Sequence, residues 1–155
     1  MAKLIMALLA ATALVTGCRV EEYRMVPVER TPYDSEWEKV RRSLADMAMF
    51  EYNRKHDGLI QWQLPEETER ERRGDCTALA TLLYQRMLKA GVSGGRIVFG
   101  DYRDQWHAWV EWRDYILDPS LSLRPISRQA AGEYRPVWAY DLSGKYRFEA
   151  IRAKG

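Results

Sequence analysis

The chain has little from which a covalent or metal-bound framework could be built: two cysteines and two histidines among 155 residues. Two cysteines rule out a disulfide scaffold. His56 and His107 lie far apart in sequence, and with so few thiols no zinc site is readable. An excess of charge of one sign is also missing. The 24 Lys and Arg residues nearly balance the 22 Asp and Glu residues, which removes the basic footprint expected of a nucleic-acid-binding protein. Internal repeats and low-complexity tracts are absent, which argues against solenoids and linkers. The one uncharged apolar run, residues 4–15, is too short to span a bilayer.

That run is informative by its position. Lys3 precedes it and small residues follow it, up to Cys18, in the layout of a secretory signal peptide. A buried first helix is the other reading. The "LVTGC" ending resembles the lipobox of bacterial lipoproteins. The resemblance implies cleavage before Cys18, a lipid on its thiol, and a protein anchored to a membrane facing the periplasm or cell exterior. The chain then divides into a signal peptide (1–17), a tether (18–33) and one domain (34–155), and Cys76 is left as the free thiol.

Beyond the tether, Ser35 and Glu38 have capping-box spacing, and Trp37, Val40, Leu44, Met47 and Ala48 share a face. The pattern predicts an amphipathic helix ending near Asp57 and Gly58. The charge run of residues 65–73 predicts an exposed helical turn with Glu66/Arg70 and Glu69/Arg73 pairs. A third helix is expected from Asp75 or Cys76 to about Ala90, with Gly91 just past its end. Strand-like runs follow at 96–100, 105–112, 115–120, 136–142 and 146–151, the last two separated by "SGK". Helices followed by strands make an α+β order, with N-terminal helices packed on a small antiparallel sheet.

Cys76 stands where a helix should start, and the unsatisfied amides and partial positive charge there stabilise a thiolate. Taken alone, a single cysteine on an apolar stripe is more often a small core residue. His56 sits among charges at the expected end of the first helix. His107 lies in an alternating strand with Trp109 and Glu111 on its face. A two-residue turn at Arg113-Asp114 would set Glu111 opposite Ile116 and bring Asp118 to the His107 face. An odd loop would send Asp118 to the opposite face.

These stretches, "GDCTALATLLYQRMLKAGV", "HAWVEW" and "YILDPS", resemble the Cys, His, Asp core of the transglutaminase-like superfamily, and "QWQLPEETERERRGDC" is similar to the approach to the cysteine in its bacterial cysteine peptidases. The resemblance covers about residues 62–119. It implies a papain-like, transglutaminase-like core and a thiol hydrolase or acyl transferase acting on a protein or peptide. Cys76 would be the nucleophile, His107 the general base and acid, and Asp118 the residue orienting His107. For the oxyanion, the Cys76 amide would be joined by Trp62, or by a side-chain amide of Gln61 or Gln63. Bacterial members carry acidic residues on both sides of the cysteine, associated with calcium. Asp75 fits that pattern and Thr77 and Ala78 do not, so Asp75 is read as a helix cap and neither a metal ligand nor a cofactor is assigned. The rival reading is a non-catalytic binding module whose groove presents Trp106, Trp109 and Trp112 to an envelope or peptide partner. Oligomeric state is not legible.

Overall fold

The computed structural model describes residues 32–53 and 63–149. The signal peptide, Cys18, His56, Gln61 and Trp62 fall outside these residues. Among those described, no helix is long and apolar enough to cross a membrane.

The first helix, α1 (Pro32–Ala45), begins within the segment read as tether, so Ser35 lies inside the helix and does not cap it. It also stops well before Asp57. A 3-10 turn (Asp46–Met49) closes it, and the chain extends into β1 (Glu51–Tyr52). The apolar spacing that suggested one long helix holds only as far as Met47, which is buried with Val40 and Leu44. After α2 (Pro65–Glu71), β2 (Arg73–Gly74) pairs in parallel with β1, a small sheet that no periodicity signalled.

The central helix α3 (Cys76–Lys89) starts where Asp75 Oδ1 accepts the Ala78 amide at 2.9 Å, an N-cap satisfying one orphan donor. It ends in a Schellman motif: Val92 N–H donates to the Met87 carbonyl (3.0 Å) and Gly91 N–H to that of Leu88 (2.9 Å). Gly91 adopts φ +76°, open to glycine without strain. Ala78, Leu79, Ala80, Leu82, Leu83 and Met87 are buried, each large side chain contributing roughly 1.5–3 kcal/mol of burial. Two glutamates of α2 reach across to this helix, not to the expected Arg70 and Arg73: Glu69 binds Arg86 (2.7 Å) and Glu66 accepts from Gln85 (2.9 Å), while Arg70 and Arg73 pair with Glu71 (3.7 and 3.9 Å).

Six strands follow: β3 (Gly95–Tyr102), β4 (Gln105–Trp112), β5 (Tyr115–Leu117), β6 (Ile126–Ser127), β7 (Tyr134–Asp141) and β8 (Gly144–Arg147). They form one antiparallel sheet in the order β6-β5-β4-β3-β7-β8. One face, with Ile97, Phe99, Ala108, Val110 and Trp112, packs on α3 and α1. The other, with Val98, Trp109, Ile116 and Ala139, is covered by Ala131 and Tyr134. The sheet is larger than the sequence suggested. β6 was not expected, β5 is shorter, and β7 begins two residues before Pro136. Proline cannot donate to a ladder, but here it sits at a register shift between Phe99 and Gly100 of the partner strand.

Candidate active site

The β4–β5 hairpin closes with the two-residue turn Arg113-Asp114, Arg113 taking φ +52°. Glu111 pairs with Ile116 and Val110 with Leu117, the register that carries Asp118 to the His107 face. The imidazole Nε2–H of His107 donates to Asp118 Oδ2 at 2.7 Å. Cys76, the first residue of α3, lies beside the same ring, close enough to act on its charge. With Nε2 occupied by Asp118, Nδ1 is the nitrogen left to face the thiol. The structure therefore brings together the three residues singled out in the sequence, from a helix start, a strand and the end of the following strand.

Burial decides how each can behave. Cys76 is half-buried, unlike the fully enclosed residues that follow on its stripe. His107 is buried and Asp118 has no exposed surface. Burial of the His107 ring opposes its charge, but the hydrogen bonds to Asp118 and Cys76 and the charges of both outweigh this and push its pKa up to about 9. The imidazolium is thus the main form at neutral pH, and a cation beside sulfur stabilises a thiolate.

Two further contributors escaped the sequence reading. Ser120 donates to Asp118 Oδ1 through both its amide (3.1 Å) and its hydroxyl (2.6 Å), an Asx-type turn for which the "DPS" stretch was the available signal. Tyr134 donates its hydroxyl to Asp118 Oδ2 at 3.0 Å from β7, and local sequence carried no sign of it. Tyr102 and Trp109 flank the His107 ring, with centroids at 5.6 and 6.2 Å.

Searches by sequence give no matching family model and no matching curated protein. Solved structures do match in shape. Calcium-bound LapG of Legionella pneumophila superposes with a TM-score of 0.66 at 20% identity, over 77% of this chain and 75% of that one. A second LapG structure gives 0.66 at 21% identity over 72% and 68%, and an EGTA-treated one 0.67 at 20% over 74% and 68%. The chain has the transglutaminase-like fold.

Other expectations are corrected or limited by the structure. The tryptophan groove of a binding module is not formed, because Trp109 and Trp112 are fully buried and only Trp106 of the three is exposed. Trp112 is a core residue whose indole donates to the Ser93 carbonyl at 2.9 Å. Gln63, offered as an oxyanion donor, gives its amide to the Arg73 carbonyl at 3.1 Å. For calcium, among the described residues no three His, Cys, Asp or Glu side chains converge on a point that could hold a metal. Asp75 is engaged as the cap of α3, while one of the LapG structures that match in fold is calcium-bound.

Proposed function

We propose that the protein is a cysteine peptidase of the transglutaminase-like type, hydrolysing or transferring the acyl group of a peptide or amide bond, and that a lipid on Cys18 holds it at a membrane facing the periplasm or cell exterior. The observation that carries the catalytic part is the His107 ring hydrogen-bonded to Asp118 at 2.7 Å, with the half-buried Cys76 beside that ring at a helix start. This is the geometry of an activated nucleophile, its base, and the group orienting that base. The LapG likeness is consistent with it at the level of fold.

In this mechanism the Cys76 thiolate attacks the carbonyl carbon, and the C=O electron pair moves onto oxygen. The free amides of the first turn of α3, that of Cys76 among them, stabilise the oxyanion. As the C–N bond breaks, the His107 imidazolium gives its proton to the leaving amine, leaving an acyl thioester on Cys76 and a neutral imidazole. His107 then takes a proton from water, or from an attacking amine, as that nucleophile displaces the thiolate. Water completes hydrolysis and an amine completes transamidation. Asp118 keeps the ring in one tautomer throughout. A protein or peptide is the substrate class.

The test is the reactivity of Cys76. In the full chain, iodoacetamide should label Cys76 at pH 6 faster than a free thiol, as read by peptide-resolved mass spectrometry. His107→Ala should abolish the excess rate. Cys76→Ala and His107→Ala should each remove any peptide-cleaving or amine-transferring activity, and the double variant should be scarcely worse than either. Labelling no faster than a free thiol and indifferent to His107 would sink the proposal.

A further inference from the structure

We infer that Tyr134 is a positioning residue for the proposed Cys76–His107–Asp118 unit: its hydroxyl pins the Asp118 oxygen that holds His107. The inference rests on the catalytic reading above and adds a residue to it.

Asp118 is fully enclosed, so protein groups must replace the water its carboxylate loses. Oδ1 takes both donors of Ser120, a residue of its own turn. Oδ2 takes His107 Nε2 at 2.7 Å and Tyr134 OH at 3.0 Å. Without Tyr134, the oxygen facing the imidazole would have only the ring itself as partner. Tyr134 comes from the other side of the sheet, since β4 and β3 lie between β5 and β7 in strand order. It is held there by Trp109, edge-on at 5.1 Å, and by Tyr102 at 4.6 Å. Burial and the neighbouring Asp118 charge keep the phenol protonated far beyond the usual tyrosine range, so it remains a donor at any working pH.

The charged and titratable groups around this cluster leave Tyr134 a distinct role. Cys76 faces the ring from α3, Tyr102 from β3 and Ser120 from the turn after β5. Glu133, beside Tyr134, pairs with Arg103 at 2.9 Å, and Glu111, farther along β4, pairs with Arg96 at 2.8 Å and with Arg128. Both nearby carboxylates are therefore neutralised by arginine, whereas Asp118 is balanced by His107 and two neutral hydroxyls.

A hydrogen bond to the ionised form favours that form. In Tyr134→Phe, Asp118 Oδ2 loses one of its two partners, and a loosened Asp118 no longer holds the charged ring with Nδ1 toward the sulfur. Iodoacetamide labelling of Cys76 in the full chain at pH 6 should slow about tenfold, the order expected for one hydrogen bond to a charged group. Its acid limb should move to higher pH, with little change above pH 8. In an Asp118→Asn background, Tyr134→Phe should add nothing. Slowing by the same factor at every pH, slowing that persists in the Asp118→Asn background, or no slowing at all would each overturn the inference. If wild-type Cys76 labels fast and depends on His107 but ignores Tyr134→Phe, this inference fails and the catalytic reading stands; if wild-type Cys76 labels as a free thiol, both fail. Should Tyr134→Phe not fold, 3-fluorotyrosine placed at position 134 keeps the shape and donates more strongly. The acid limb must then move to lower pH, and an unmoved limb overturns the inference.

Discussion

At the scale of single residues, the proposed chemistry turns on His107. Hydrogen-bonded to Asp118 and beside Cys76, it is charged over a wider range than an unfolded histidine, and this links stability to pH. Its pKa is raised on folding, from 6.5 to about 9. The stabilisation from its charged contacts is therefore fully present below pH 6.5 and is lost as pH rises through about 9. Thermal unfolding followed from pH 6 to 9.5 should show the melting temperature falling across that window, and His107→Gln should flatten the slope; an unchanged slope would argue that His107 is not charged in the folded chain. Asp118→Asn keeps the shape but favours the wrong tautomer. Turnover should drop by up to about 10⁴-fold while folding survives, as kcat measured beside a melting curve would show.

At the scale of elements, the site depends on how closely β7 approaches β3. Gly100 pairs with His107 on one side and, across the register shift, with Pro136 on the other. A methyl group at Gly100 would lie 2.0 Å from the Arg135 carbonyl oxygen, a backbone atom that can give way only if β7 moves. Gly100→Ala should therefore destabilise the domain by about 3 kcal/mol or more, measured by denaturant titration, and should draw Tyr134 away from Asp118. A stability loss under about 1 kcal/mol would show that β7 shifts freely. The same elements explain which sequence patterns could be read. The Asp75 cap, the α3 stripe and the Schellman ending use contacts within a few residues, so propensity and spacing announced them. The end of α1, the β1–β2 pair and the partners of Glu66 and Glu69 were set by distant segments, and local periodicity misled.

At the scale of the whole molecule, α1 is fastened to the sheet by aromatic and charged contacts across long sequence separations. Trp37 stacks on Trp112 at 5.8 Å and meets Tyr115 at 4.6 Å, while Glu36 binds the Ser93 hydroxyl at 3.1 Å and pairs with Arg113. Trp37→Ala should cost about 2–3 kcal/mol by calorimetry or denaturant melting, and a change below about 0.5 kcal/mol would mean that α1 is a passive cover. Lipid anchoring makes a separate prediction. Mass spectrometry of membrane fractions should find a chain beginning at a lipid-modified Cys18, and Cys18→Ala should release the domain or leave its leader uncleaved. A bare Cys18, or Met1 retained on the mature protein, would refute it.

What the sequence determined by itself was whatever depends on short spacing: the helix that begins at Cys76, the alternation that put His107 with Trp109 and Glu111, and the rule that a two-residue turn assigns Asp118 to the same face, the turn length itself being settled by the structure. Those depend on backbone geometry that repeats every two or 3.6 residues, so a written string carries it. The tertiary structure alone decided that Cys76 is half-buried, that Trp109 and Trp112 are core, and that Tyr134 of β7 reaches Asp118 across the strands between β7 and β5. Each of these is set by which strands become neighbours. Strand order β5-β4-β3-β7 follows from burying two apolar faces at once, an outcome of the whole chain that no local stretch encodes.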